Sequence, residues 1–184
     1  MVQPQDGTSQ RLRVGDIELA YELAFLRVFM AWEVLLEGAF LRFMCGFMHS
    51  NGQEPLAAGK AYQPTISDAE TYLLNGRQYL LWHNPTHVIN RAGGFFSNSR
   101  FELILASAQH RVEHFATVRH RIAHSQKDAA AKFDTVSMLL AGKRYMGSRP
   151  GRFLRDWQVG INPPQRWFAS ICLELESLSH QICA

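Results

Sequence analysis

One short stretch, ATVRHRIAHSQK at residues 116–127, crowds Arg119, His120, Arg121 and His124 together. A histidine titrates near neutral pH and moves protons, while a guanidinium presents a planar fork of donors that matches a phosphate. Together they suit attack by a ribose 2′-OH on its own phosphodiester. The imidazole would move the proton, and the guanidinium would hold the equatorial phosphate oxygens as charge builds. That chemistry calls for no metal and no cofactor.

On a continuous helix Arg119 falls between Phe115 and Ile122 of an apolar stripe, a costly place for a charge unless an anion or a partner chain meets it. This conflict with the core pattern is the local sign of function. His124, five residues on, points about 140° away from Arg119 at helical spacing. The two side chains therefore converge on one substrate only where the helix loosens between them, or where two copies of the segment face each other across a dimer axis. The plain alternative is a polar helix end that exposes both residues, with a histidine favoured there by the helix dipole.

Other clusters compete. His110, Glu113, His114, His120 and His124 raise a metal reading, since histidines four apart on a helix can share an ion. No HExxH and no second helix with an ExxH pair supports it, so no metal is expected. His83, Asn84, His87 and Asn90 of WHNPTHVIN are reminiscent of an HNH nuclease, yet the flanking strand pattern is missing, and they read as polar loop residues beside a cleft. Lys143, Arg144, Arg149, Arg152, Arg155 and Arg166, interleaved with Tyr145, Phe153 and Trp157, suit phosphate contacts with occasional base stacking. They suit a solvated face at a dimer rim equally well.

These residues need elements to hold them. Residues 16–49 contain no proline, and Phe25, Phe29, Trp32, Leu36, Phe40, Phe43 and Phe47 recur every three or four positions. This period predicts one long helix with Asp16 as N-cap and HSNGQEP as its stop. In TISDAETYLLNGRQYL, Ser67 and Glu70 have capping-box spacing and predict a short helix ending near Asn75 and Gly76. LWHNPTHVINRAGGFFSNS reads as a structured loop with a helical turn after Pro85. Phe101, Leu105, Ala108, Val112, Phe115 and Ile122 predict a second strong helix over residues 101–125. DAAAKFDTVSMLLAG is helical in composition, GSRPGRF is a turn, and a closing helix opens at Pro163 and Pro164. The expected class is all-α, an up-and-down antiparallel helical bundle over residues 16–184, with residues 1–15 as a polar leader.

A chain of 184 residues, 47% hydrophobic and 19% charged, has the makings of one domain with its own core and permits an oligomer. The formal charge of +3 is too small to hold a polyanion by itself, so charge placement decides. Cys45, Cys172 and Cys183 form no CxxC pair, which argues against a disulfide framework and a thiolate zinc site and fits a reducing cytoplasm. The first sixteen residues lack an apolar signal-peptide core. The most apolar run is broken by Arg27, Glu33, Glu37 and Arg42, short of the roughly 20 uninterrupted apolar residues a bilayer demands. The expectation is a cytoplasmic protein with no membrane partner.

VRHRIAHS resembles the signature of the HEPN superfamily, an arginine, a polar residue and then a histidine, commonly a string like R-N-x-x-A-H. MAWEVLLEGAFLRFM, with Trp32, Glu33 and Glu37, is similar to the first-helix Trp-Glu pattern of HEPN proteins of the RiboL-PSP type, and GRFLRDW is similar to their closing region. In matching order these motifs span most of the chain. The resemblance implies a helical bundle that dimerises so that both signature segments line one cleft. It implies a metal-independent endoribonuclease leaving 2′,3′-cyclic phosphate ends, in a toxin–antitoxin, phage-defence or stress system, with an antitoxin or other regulatory protein as partner. By position Arg119 and His124 would be catalytic, with His124 in proton transfer or 2′-OH activation. His120 fills the slot usually held by asparagine, and Glu33 would orient or neutralise Arg119. Arg144, Arg149, Arg152 and Arg155 are the expected RNA contacts. Many members of the superfamily are catalytically silent, so the alternative expectation is an RNA-binding or protein-interaction scaffold.

Overall fold

The computed structural model describes residues 13–184; the expected polar leader lies outside them except for its last three residues. The described chain is all-α, seven helices with one two-stranded hairpin. Among the described residues no helix is long and apolar enough to cross a membrane.

Helix α1 runs Val14–Met44. Asp16 is not its N-cap: from the third helical position its carboxylate accepts a hydrogen bond from the Arg13 backbone N–H at 3.3 Å, and it complements the positive end of the helix dipole. Phe25, Phe29, Trp32, Leu36, Phe40 and Phe43 are buried on one stripe, as their spacing requires. The helix stops five residues before the expected His49, and Phe47 is exposed. Gly46 is the reason. Its φ of 80° lets the Gly46 and Phe47 N–H groups close back on the Phe43 and Arg42 carbonyl oxygens, at 3.0 and 3.1 Å. The HSNGQ segment is then a hairpin, β1 (Met48–His49) antiparallel to β2 (Gly52–Gln53), where only a helix stop was expected.

Helix α2 (Ile66–Leu74) is capped by Thr65 and not by Ser67, because Thr65 Oγ1 accepts from the Asp68 N–H at 3.1 Å; it ends at left-handed Asn75 as expected. Helix α3 (Pro85–Phe95) occupies most of the expected loop. Asn84 Oδ1 accepts from the His87 N–H, Pro85 starts the helix, and Val88, Ala92 and Phe95 bury one face, enough to carry helix through Gly93 and Gly94. Helix α4 (Arg100–Ala123) starts on a Ser99 cap, and α5 (Lys127–Ala141) ends on left-handed Gly142. Residues expected as a turn form the short α6 (Pro150–Arg155), and α7 (Trp167–Cys183) begins three residues after Pro164, not at the proline pair.

Phe101 at the start of α4 packs on Phe40 and Phe43 near the end of α1, whereas Arg119 near the end of α4 meets Glu33, so the two helices run antiparallel. Arg100 donates to the Gln181 carbonyl and Arg111 pairs with Glu174, which sets α7 antiparallel to α4. Phe40 anchors the core, with edge-on contacts to Trp82, Phe96 and Phe101. This frame presents the C-terminal end of α4 to α1, to the start of α3 and to α5.

Candidate active site

Helix α4 ends at Ala123, and His124 follows it with extended backbone, φ −133° and ψ 128°. Helical spacing therefore stops one residue short of His124, and its ring lies against His120 with centroids 4.4 Å apart and planes inclined by 43°. Arg121 fixes this end. Its Nη1 donates to the His124 carbonyl oxygen and its Nε to that of Ser148, each at 3.0 Å, so a cation answers the negative end of the helix dipole. Nothing in the spacing of Arg121 marks it as a clamp, since only the fold brings the Ser148 carbonyl within its reach.

Arg119 turns toward α1. Its Nε stands 3.5 Å from Glu33 Oε1, with the two side chains 25% and 19% exposed. Burial pushes the Glu33 carboxyl above the usual carboxylate range, and Arg119 pulls it part of the way back. The resemblance transferred this pairing to Glu33, and the two residues do stand together.

His120 walls a cleft of about 330 Å³ together with His83, Asn84, Thr86, Glu113 and Lys132. Burial first, and then His124, Lys132 and Arg119, hold the His120 imidazole below its ordinary range. His83 is shifted the same way, by burial first and then by Arg119, His120 and His87. Both rings are therefore neutral at pH 7 and ready to accept a proton. Glu113 is held ionised chiefly by a hydrogen bond from Gln109, with further bonds from Thr86 and His110. His83 stands beside this cleft as its segment suggests, although at the head of a helix; Lys132 is a member of the wall that no local signal marks. The signal for His83 was the WHNPTH segment itself, whose polar residues sit at the head of α3 and not on a free loop. Among the described residues no three His, Cys, Asp or Glu side chains are grouped to hold a metal ion.

Within one chain Arg119 and His124 do not share a cleft. His124 opens onto a separate hollow of about 370 Å³ lined by Leu19 and Glu22 of α1, Arg121 and Arg149. The expected RNA-contacting arginines divide as well. Arg149, Arg152 and Arg155 converge on Glu18, at 3.6, 3.3 and 3.7 Å, and the Glu18 side chain is only 5% exposed. Arg144 stands exposed with no ion pair to a described residue.

No protein-family model matches the chain, and no curated protein and no solved structure matches it either.

Proposed function

We propose that this chain is a HEPN-like helical bundle acting as a metal-independent endoribonuclease, as a homodimer, in a toxin–antitoxin, phage-defence or stress setting. The observation that carries the reading is the pair of touching imidazoles, His120 and His124, at the loosened end of α4 with the Arg119 guanidinium one residue away. One imidazole takes the 2′-OH proton as the oxygen attacks phosphorus, and neutral His120 suits that step. The P–O5′ bond breaks, the other imidazole, entering the step as imidazolium, gives its proton to the leaving 5′-oxygen, and a 2′,3′-cyclic phosphate remains. Arg119 holds the non-bridging oxygens while charge accumulates. Arg144, with the solvent edges of Arg149, Arg152 and Arg155, guides the RNA backbone. The second copy enters the reading because, within one chain, Arg119 faces Glu33 while His124 opens onto a hollow that Arg119 does not line.

The test is cleavage of a mixed RNA by purified protein in EDTA, wild type beside His124→Ala and Arg119→Ala, with end-group analysis. Cyclic phosphate ends made by wild type and lost in both variants support the reading. A second reading, the catalytically silent scaffold, is favoured by one contact: Arg119 faces Glu33 and not open solvent. It requires no cleavage by any form and no toxicity on expression.

A further inference from the structure

A third cleft lies on another part of the surface, where the α5–α6 connection meets the segment leading into α7. It encloses about 680 Å³, and its wall includes Lys143, Arg144, Arg152, Arg155 and Arg166. Only Asp156 in the wall, bound by Lys143 at 2.6 Å, and Glu18 beneath, shared by Arg152 and Arg155, offset these cations, which leaves a net of three positive charges. A concave surface with that excess attracts polyanions and concentrates them.

One aromatic ring stands at the rim. Trp157 is 52% exposed, whereas Trp32, Trp82 and Trp167 are all buried. The Arg166 guanidinium lies over one face of its indole, 4.4 Å from the centroid, and also donates to the Arg155 carbonyl oxygen. The segment carrying Trp157 is tied at both ends: Trp157 and Arg166 form a backbone bridge, and the Gln158 N–H donates to the Gln165 carbonyl oxygen at 2.8 Å. The indole is thus held in place by backbone and by a cation, and about half of it is exposed at the wall of a basic hollow. An exposed tryptophan fixed in this way has no core to fill, and stacking of a flat ring is the interaction it is built to give.

We propose that this cleft is a nucleotide site, in which a nucleobase stacks on the exposed part of Trp157 and the attached phosphate is held by Arg144, Lys143 and Arg166. The ligand chemistry is a base joined to phosphate, supplied by single-stranded RNA or by a free nucleotide. Only the RNA source rests on the function proposed above. Apart from Glu18 beneath it, which also lines the His124 hollow, the site shares no residue with the His120 or His124 hollows and binds whether or not they cleave.

Tryptophan emission reports this site directly, because Trp157 is the exposed indole of the four. The His124→Ala protein in EDTA is titrated with a ten-residue oligouridylate, with UDP and with inorganic phosphate, following fluorescence quenching and heat of binding. The oligonucleotide is expected to quench emission; Trp157→Ala should abolish the quench and weaken binding by roughly 5- to 150-fold. Lys143→Ala with Arg144→Ala should lower the slope of log affinity against log salt by about 1.4. Equal quenching by UDP assigns the site to any nucleotide; quenching by UDP alone keeps the site and removes RNA as its ligand. Absence of quenching by both, or unchanged affinity in Trp157→Ala and in the double variant with native circular dichroism, overturns the proposal. Loss of cyclic phosphate product in the cleavage assay, by contrast, bears on the nuclease reading alone.

Discussion

Burial and Arg119 pull the Glu33 carboxyl in opposite directions, and burial is the larger effect. The ion pair therefore does not repay its own desolvation, as is common for charge pairs taken partly out of water. Glu33→Gln is expected to cost under about 1 kcal/mol, a fall of no more than about 4 °C in melting temperature. Its visible effect should fall on phosphate affinity, since the guanidinium loses its resident anion. The histidines give a pH signature of known sign. His83, His114 and His120 are all held below the ordinary imidazole range, in each case by burial first. The unfolded chain then binds protons that the folded chain refuses, so stability rises with pH through the interval below about 6.5 and is lost on acidification. Thermal melts between pH 7.5 and 5.5 should show this fall, and His83→Asn with His120→Asn should flatten it. An unchanged slope in the double variant would place the acid sensitivity elsewhere.

Two short helices show where the chain's own signals misled and why. The Gly93-Gly94 pair marks a loop by propensity, yet it stands in the last turn of α3, because Val88, Ala92 and Phe95 bury a full face against the core. Propensity was overruled by packing that no local window reveals. A methyl group at Gly94 meets nothing within 4 Å, and its φ is not in the left-handed region, so Gly94→Ala should stabilise by about 0.5–1 kcal/mol in urea unfolding. The α6 glycine behaves in the opposite way. Gly151 donates its N–H to Glu22 Oε1 at 2.8 Å, and a Cβ there would overlap the Glu18 carbonyl oxygen. That neighbour is backbone and cannot swing aside, so Gly151→Ala must push α6 off α1. The expected loss is about 2–3 kcal/mol, with melting lowered by roughly 4–12 °C at unchanged helix content. The Pro-Gly pair that reads as a turn is thus the contact that lets a helix of six residues dock, and with it the arginines that surround Glu18.

Seen across the molecule, the long α1 and α4 stripes and the crowding at residues 119–124 were legible, because periodicity and charge misplacement are local properties. The clamp of Arg121 on Ser148 and the convergence of three arginines on Glu18 were not, because each joins segments far apart in the chain. A further pattern emerges only when burial is laid over α1. Its exposed residues between 19 and 34 are Leu19, Ala20, Leu23, Arg27, Met30, Ala31 and Val34, apolar but for one arginine. At 1.5 Å per residue this stripe runs about 22 Å, from Leu19 beside the His124 hollow to Val34 beside Glu33, the partner of Arg119. Two copies pairing antiparallel along it bring the His124 end of one chain to the Arg119 end of the other, which is what the proposed ribonuclease requires. In such a pair Arg27, close to the midpoint of the stripe, would face its own copy, where like charges oppose association. Light scattering after size exclusion should accordingly show a dimer that Leu23→Glu with Met30→Glu converts to a folded monomer unable to cleave RNA. Arg27→Leu should tighten the dimer by roughly two- to fivefold, the equivalent of about 0.5–1 kcal/mol. A dimer indifferent to the double glutamate variant would show that the chains pair through another face, and a monomer that still cleaves would show that one chain completes the site alone.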